Sequence, residues 1–280
     1  MTKGNALAVR NDAGDIVEYH WVGDLAKRIV EIEQELTGAI TEGLDAQEFT
    51  CATLLRDTPL RRSGYLDSLP CVPMYAVPHG PQAEGHDVGE RWILSTAACF
   101  HVLSAVSGAG LRPASLLTAY TCGAVCHRAE GGPDDAVLRL ASFRMRELVL
   151  VGSEEPVLEQ AEQAFMRLHD HLAQRLRKVR VADAADVFYG ANAGALRRFQ
   201  SVKRVKQELL TPWSINHEYA VASWNKHGDR LMTSFGGAEP AADLPHSACV
   251  AFGVERLAVA LLADATEMLP QEFLAAVRIG

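Results

Sequence analysis

The clearest pattern of hydrophobic positions along the chain has a helical period. Between residues 24 and 37, apolar side chains recur at positions 25, 29, 32 and 36, the spacing of an amphipathic helix. A second stripe follows Ser153, which is suited to cap a helix N-terminus. Its members are Leu158, Ala161, Phe165, Leu168, Leu172 and Leu176. The pattern also predicts a final helix that starts near Gly253 and continues through Leu262.

Other runs have the composition of β-strands. Residues 147–152 and 220–224 are short and β-prone, and turn or polar residues end them, as expected for strands of a sheet. Strands and helices do not alternate regularly, and no glycine-rich phosphate loop follows a strand. A Rossmann or P-loop domain is therefore disfavoured. If ATP binds here, arginine side chains are the natural groups to hold its phosphates.

Size and composition indicate a cytoplasmic protein with one domain over residues 1–280. Of the 280 residues, 48% are hydrophobic, and we find neither an uncharged apolar stretch long enough for a membrane span nor a secretory signal. The six cysteines are too few and too scattered for a disulfide framework, so we expect reduced thiols or metal ligands. Cys122 and Cys126 lie on a predicted strand and are expected in the core or near the surface.

The charge balance disfavours a large nucleic-acid interface. The net charge is −8, whereas binding to tRNA or duplexes draws most of its affinity from basic side chains on phosphates. One basic span runs against this balance and could dock an acidic partner, although such side chains often only solvate helix faces. Its members are Arg175, Arg177, Lys178, Arg180, Arg197, Arg198, Lys203, Arg204 and Lys206.

Two segments combine residues suited to nucleotide chemistry. Arg128 and Glu130 form an R-x-E pattern at the start of a predicted strand–loop–strand unit. Taken alone, this pattern is better explained by an ion pair on a sheet surface. In the second segment, an apolar strand passes through Gly253 into a helix whose first turn carries Arg256. An isolated arginine at that position is usually solvated.

Together these segments resemble motifs 2 and 3 of the class II aminoacyl-tRNA synthetases. The similarity extends to the amino acid:carrier protein ligases, truncated relatives of the atypical seryl-tRNA synthetases, because further segments over roughly residues 50–262 match that family's pattern. These segments are residues 63–70, 95–100, 186–190 and 222–227. The resemblance implies an α+β catalytic fold of class II type, with an antiparallel sheet flanked by helices, and a homodimer.

The resemblance also implies a catalytic zinc ion. The family's Cys, Glu and Cys ligands match Cys99, Glu147 and Cys249. Two thiolates and one carboxylate form a three-ligand zinc site, which leaves a fourth position open for the α-amine of the substrate. For any one of these cysteines alone, a buried apolar thiol would be the more common role.

For ATP, the resemblance implies one role for each matched residue. Arg128 stabilises charge on the α-phosphate, Glu130 orients adenine and Arg256 holds the γ-phosphate. Mg²⁺ neutralises the triphosphate, with Glu208 and Glu218 as its candidate ligands. Either of these carboxylates could instead be an ordinary strand residue.

The implied function is activation of a small amino acid, with glycine or alanine favoured, as an aminoacyl adenylate. The acceptor would be the phosphopantetheine thiol of an acidic carrier protein. Asn225 and His227 are expected to line the substrate pocket, although His227 fits a structural role equally well. The bulky Trp224 nearby suggests that the substrate has a small side chain. Two alternatives stay open: tRNA charging, disfavoured by the acidic charge balance, or a non-catalytic paralogue that binds an amino acid or a protein.

Overall fold

The computed structural model describes residues 4–14, 16–69, 73–77, 91–108, 116–129, 139–184, 186, 192–236 and 245–279. In chain order the strands are β1 (Gly4–Arg10), β2 (Ile16–Gly23), β3 (Ala46–Thr50), β4 (Leu54–Arg56), β5 (Tyr75–Ala76), β6 (Trp92–Leu94), β7 (Leu117–His127), β8 (Ser142–Gly152), β9 (Arg180–Asp183), β10 (Lys206–Ser214), β11 (His217–Gly228), β12 (His246–Gly253) and β13 (Arg278–Ile279). The helices are α1 (Asp24–Thr41), α2 (Asp57–Arg62), α3 (Tyr65–Ser68), α4 (Cys99–Gly108), α5 (Glu154–Ala173), α6 (Ala193–Lys203), α7 (Arg230–Gly236), α8 (Val254–Ala265) and α9 (Pro270–Val277).

A seven-stranded sheet organises the structure. Its strand order is β3-β7-β8-β12-β11-β10-β9, and every neighbouring pair is antiparallel except β3 with β7. Two three-stranded sheets, β13-β1-β2 and β4-β6-β5, accompany it. The predicted architecture, a largely antiparallel sheet flanked by helices, is therefore confirmed.

Alternation along the strands divides the core between the two faces of the large sheet. On β8, Leu148 and Leu150 belong to a core packed against α1, α5 and α8. Val149 and Val151 point the other way, into a second core that includes α4 and α7. Because successive strand residues face opposite sides, each face carries its own set of side chains. The second face is the one on which the predicted metal ligands lie.

The predicted helices are confirmed, with corrections at their ends. The first, α1, continues one turn further than expected and buries Ile40. Ser153 does precede α5, but its side chain makes no capping hydrogen bond, and Val157 is buried where Leu158 was expected. The helix that follows Gly253 is not the last one, since α9 comes after it.

The predicted strands are confirmed inside longer ones. Residues 147–152 end β8, and residues 220–224 lie within β11. Cys122 and Cys126 are buried on β7, as expected. The two small sheets were not predicted. Among the helices that the structure describes, none combines the length and the apolar character needed to cross a membrane.

Candidate active site

Cys99, Glu147 and Cys249 come from three different elements and meet at one point on the sheet face. Glu147 on β8 lies opposite Ala251 of β12, two residues from Cys249 on the same face. Cys99 is the first residue of α4. The backbone N–H of Ala98, the residue before it, donates a 2.7 Å hydrogen bond to the Glu147 Oε1 atom. The three residues are buried, with exposed fractions of 4%, 1% and 2% respectively. The structure thus places the three predicted zinc ligands in one buried region on this face of the sheet.

The electrostatics of this group fit a bound cation. A hydrogen bond between the two thiols lowers the pKa of Cys249 and raises the pKa of Cys99. Burial raises the pKa of Glu147, and the nearby Cys249 thiol group raises it further. Three acidic groups packed together out of water oppose one another's ionisation, and a divalent metal removes that conflict by accepting all three as anions. Two sulfur donors with one oxygen donor are a ligand set typical of Zn²⁺.

Two residues of β11 approach the same sulfur atom. Asn225 lies opposite Cys249 in the β11–β12 pair, and its Nδ2 atom is 3.4 Å from the Cys249 Sγ atom. His227 Nε2 is 3.5 Å from that sulfur. In the described part of the chain, ligand atoms of Cys99, His227 and Cys249 all lie within 4.8 Å of one another, so this group could hold a metal ion. Glu147, the third predicted zinc ligand, is not a member of this mutually close group, and its carboxylate accepts the hydrogen bond from Ala98 beside Cys99.

Trp224 does not border this site. Its side chain points to the opposite face of the sheet, where it is buried and packs against Phe165 of α5 at a ring-centroid distance of 6.1 Å. The inference of a small substrate from the bulk of Trp224 was therefore wrong. The alternation of side chains along a strand predicts this arrangement, because a strand that directs Asn225 to one face directs its neighbour Trp224 to the other.

Arg128 lies immediately after β7, beside the segment that leads to Cys99. Its Nε and Nη2 atoms donate hydrogen bonds to the Thr96 carbonyl oxygen at 3.2 and 3.1 Å. Its guanidinium group stacks over the ring of Phe143, 5.2 Å from the ring centroid. Because Phe143 and Glu147 are both odd-numbered positions of β8, the arginine lies on the face that carries the thiols. Glu130, the predicted adenine contact, falls outside the described residues.

Arg256 occupies the first turn of α8, directly after the strand β12 ends at Gly253. Its Nη1 atom donates to the Ala220 carbonyl oxygen at 3.3 Å, and its own carbonyl oxygen accepts from the Tyr219 hydroxyl group at 3.1 Å. The predicted strand–glycine–helix unit is confirmed. These contacts fix the arginine against β11.

Glu208 lies in one cross-strand row with Glu147. The register pairs Glu208 with Ser223, Ser223 with Ala251, and Ala251 with Glu147. Directly opposed residues share a face of the sheet, and three interstrand steps separate the Cα atoms of Glu208 and Glu147 by about 14 Å. Lys206 Nζ lies 3.0 Å from Glu208. The row therefore places Glu208 on the same face as the thiols.

Glu218 has a different environment. It pairs with Pro212, four residues along β10 from Glu208, which corresponds to about 13 Å. Arg180 and Lys178 contact its carboxylate at 2.5 and 2.7 Å, and these hydrogen bonds lower its pKa to about 2. The carboxylate is thus already neutralised by two cations away from the row. Of the two predicted magnesium ligands, Glu208 lies in the row with Glu147, whereas Glu218 lies outside that row and is paired with two cations.

Much of the predicted basic span is paired with carboxylates. Arg175 pairs with Glu35, Arg177 with Asp264, and Lys206 with Asp186, in addition to the two cations on Glu218. Three of these acidic partners lie outside the span in sequence: Glu35, Glu218 and Asp264. The local excess of positive charge is therefore smaller than the sequence suggested. Arg198 and Lys203 are exposed on α6.

Comparison with curated proteins finds two significant relatives, both from Bradyrhizobium diazoefficiens. Amino acid–[acyl-carrier-protein] ligase 2 is 34% identical over 222 residues, which cover 72% of this chain and 65% of the relative. Amino acid–[acyl-carrier-protein] ligase 1 is 32% identical over 222 residues, which cover 72% of this chain and 66% of that relative. The chain thus spans just under two thirds of the length of these relatives. No protein-family model matches it.

Solved structures identify the fold. M. kandleri SerRS, in a complex with A. aeolicus tRNASec, superposes with a TM-score of 0.72 at 18% identity, covering 95% of this chain and 57% of that one. The cytoplasmic serine–tRNA ligase of Naegleria fowleri gives 0.65 at 14% identity, with coverages of 94% and 55%. Giardia lamblia prolyl-tRNA synthetase superposes with a TM-score of 0.64 at 12% identity, covering 86% of this chain and 48% of that one. The chain has the class II aminoacyl-tRNA synthetase catalytic fold, as the sequence predicted.

Proposed function

We propose that this chain, a homologue of amino acid–[acyl-carrier-protein] ligases, activates an amino acid with ATP and transfers it to a carrier protein. The observation that carries the proposal is the convergence of Cys99, Glu147 and Cys249 at a buried point beside Arg128. The two curated relatives are ligases that join an amino acid to an acyl-carrier protein, as their names state.

A zinc ion held by Cys99, Glu147 and Cys249 would supply a Lewis acid that binds the substrate's α-amino group and so selects amino acids over hydroxy acids. The Asn225 amide would hold the Cys249 sulfur in place through its 3.4 Å contact. We retain glycine or alanine as the proposed substrate, as the family resemblance implies.

Activation would proceed by in-line attack of the amino-acid carboxylate on the α-phosphorus of ATP. Pyrophosphate leaves and an aminoacyl adenylate forms, without a covalent protein nucleophile. Arg128, oriented by the Thr96 carbonyl group and the Phe143 ring, would stabilise negative charge on the α-phosphate. Arg256 would hold the γ-phosphate, and Glu208 would bind Mg²⁺. We also assign the adenine contact to Glu130.

Transfer would follow when the carrier's phosphopantetheine thiol attacks the adenylate carbonyl carbon. AMP leaves, the thiol proton is released, and an aminoacyl thioester forms. Exposed Arg198 and Lys203 on α6 would contribute to attraction of an acidic carrier protein. We further propose that the protein acts as a homodimer.

ATP–pyrophosphate exchange over all proteinogenic amino acids tests the activation step. We expect exchange with one or two small amino acids, followed by transfer of radiolabel to a phosphopantetheine-loaded carrier protein and not to tRNA. Label on tRNA would instead assign a tRNA-charging enzyme. If zinc-loaded protein supports no exchange with any amino acid, the proposal fails in favour of a binding-only paralogue.

A further inference from the structure

The strand β11 departs from regular pairing at His227. Lys226 lies opposite Ala248, but the next pair is Gly228 with Ser247, so β11 contains one residue more than β12 over this interval. Gly228 adopts a positive φ of 62°. The extra residue makes a β-bulge, a feature that often re-aims a side chain next to a functional site.

The imidazole ring at this bulge lies on the same face of β11 as Asn225, beside the thiols. His227 Nδ1 lies 3.1 Å from the hydroxyl oxygen of Ser247, a fully buried residue. When Nδ1–H donates to this oxygen, the lone pair of Nε2 faces the Cys249 sulfur at 3.5 Å. Metal-binding histidines are commonly oriented by such a hydrogen bond on the second ring nitrogen.

The distance between His227 and Cys249 matches that of two ligands sharing a metal ion. A tetrahedral zinc centre with typical Zn–S and Zn–N bond lengths places its sulfur and nitrogen ligands about 3.6 Å apart. The observed Nε2–Sγ separation is 3.5 Å. The second sulfur atom, that of Cys99, completes a group of three ligand atoms in which every pair lies within 4.8 Å.

We propose that His227 is the fourth zinc ligand of the protein when no amino acid is bound. The inference rests on the proposed function for the ligands Cys99, Glu147 and Cys249, and it goes beyond it by assigning the position otherwise left open. Imidazole is the one uncharged ligand of the four. The α-amino group of an arriving amino acid would therefore have to displace His227 from the zinc ion before the substrate could bind there.

Cobalt-substituted protein tests this assignment without ATP, amino acid or carrier. In the His227→Ala protein we expect the visible d–d bands of bound Co²⁺ to shift and weaken, and zinc affinity to fall at least about tenfold. Free imidazole should restore the wild-type spectrum. His227→Gln provides a second variant of closer size, and His246→Ala, which removes an imidazole ring that lies 3.8 Å from Glu154, should retain the wild-type spectrum and zinc affinity.

The outcomes separate this inference from the proposed function. Wild-type spectra and zinc affinity in both His227 variants would overturn the ligand role, and pyrophosphate exchange by the wild-type protein would leave the proposed function standing. A wild-type protein that binds neither Co²⁺ nor Zn²⁺ would overturn both.

Discussion

The Asn225 amide nitrogen lies 3.4 Å from the Cys249 sulfur atom, directly across the β11–β12 pair. The same nitrogen is 3.1 Å from the Ser223 hydroxyl oxygen. An N–H group that donates to sulfur stabilises the thiolate relative to the thiol. This contact therefore adds to the hydrogen bond from Cys99 in lowering the pKa of Cys249.

The Asn225→Ala protein should bind zinc about 10- to 100-fold more weakly than the wild type, because the thiolate loses its amide donor. Competition with a chromophoric chelator measures this affinity. Ser223→Ala leaves the amide in place and should have a smaller effect. Equal zinc affinity in the wild type and Asn225→Ala would contradict the role assigned to the amide.

Cys249→Ala and Cys126→Ala form a matched pair of buried substitutions on the large sheet. We expect the first to abolish stoichiometric zinc binding and pyrophosphate exchange, since it removes a ligand, while the second retains both. Metal content by mass spectrometry and circular dichroism of both proteins check this. Zinc retained at full occupancy by Cys249→Ala would rule out the proposed site.

Arg128→Ala should lower kcat/KM for ATP in pyrophosphate exchange by at least about 100-fold, because it removes positive charge from the reacting phosphate. Zinc content should not change. Arg177→Ala is the matched control, since it removes an arginine whose partner is Asp264 on α8. A similar loss of activity in both variants would indicate a general effect of charge, contrary to the proposed role.

The two candidate magnesium ligands should behave differently. Glu208→Gln is expected to raise the Mg²⁺ concentration needed for half-maximal exchange about tenfold or more, since a carboxylate ligand is lost. Glu218→Gln should leave this requirement unchanged because its carboxylate is occupied by Arg180 and Lys178. The reverse order of effects would assign the ion to Glu218.

Glu218 should instead contribute to stability in a pH-dependent manner. Hydrogen bonds from Arg180 and Lys178 lower its pKa from 4.5 to about 2 in the folded protein. Its contribution is therefore fully present above pH 4.5 and is lost as the pH falls towards 2. We expect Glu218→Gln to cost less than about 1 kcal/mol at neutral pH, since the pair is at the surface. Urea unfolding of both proteins at several pH values measures the difference, which should vanish near pH 2.

Features that depend on local sequence could be predicted, whereas those that depend on strand pairing could not. The strand–glycine–helix unit around Arg256 follows from apolar runs and one turn residue, and it was predicted correctly. Alternation within β11 places His227 on the same face as Asn225, but its distance from the Cys249 sulfur depends on a one-residue shift between β11 and β12. Glu218 was given a magnesium role because its cationic partners come from another strand and the turn before it.

The row from Glu208 to Glu147 determines how the site can vary. Its two central members, Ser223 and Ala251, have small side chains on the same face as the carboxylates. The distance between the carboxylates is set by backbone hydrogen bonds between strands, so substitutions at Ser223 and Ala251 change the depth of the intervening space and leave its width constant. If the proposed zinc and magnesium sites hold, substitutions at these two positions can change the space between them while their separation stays the same.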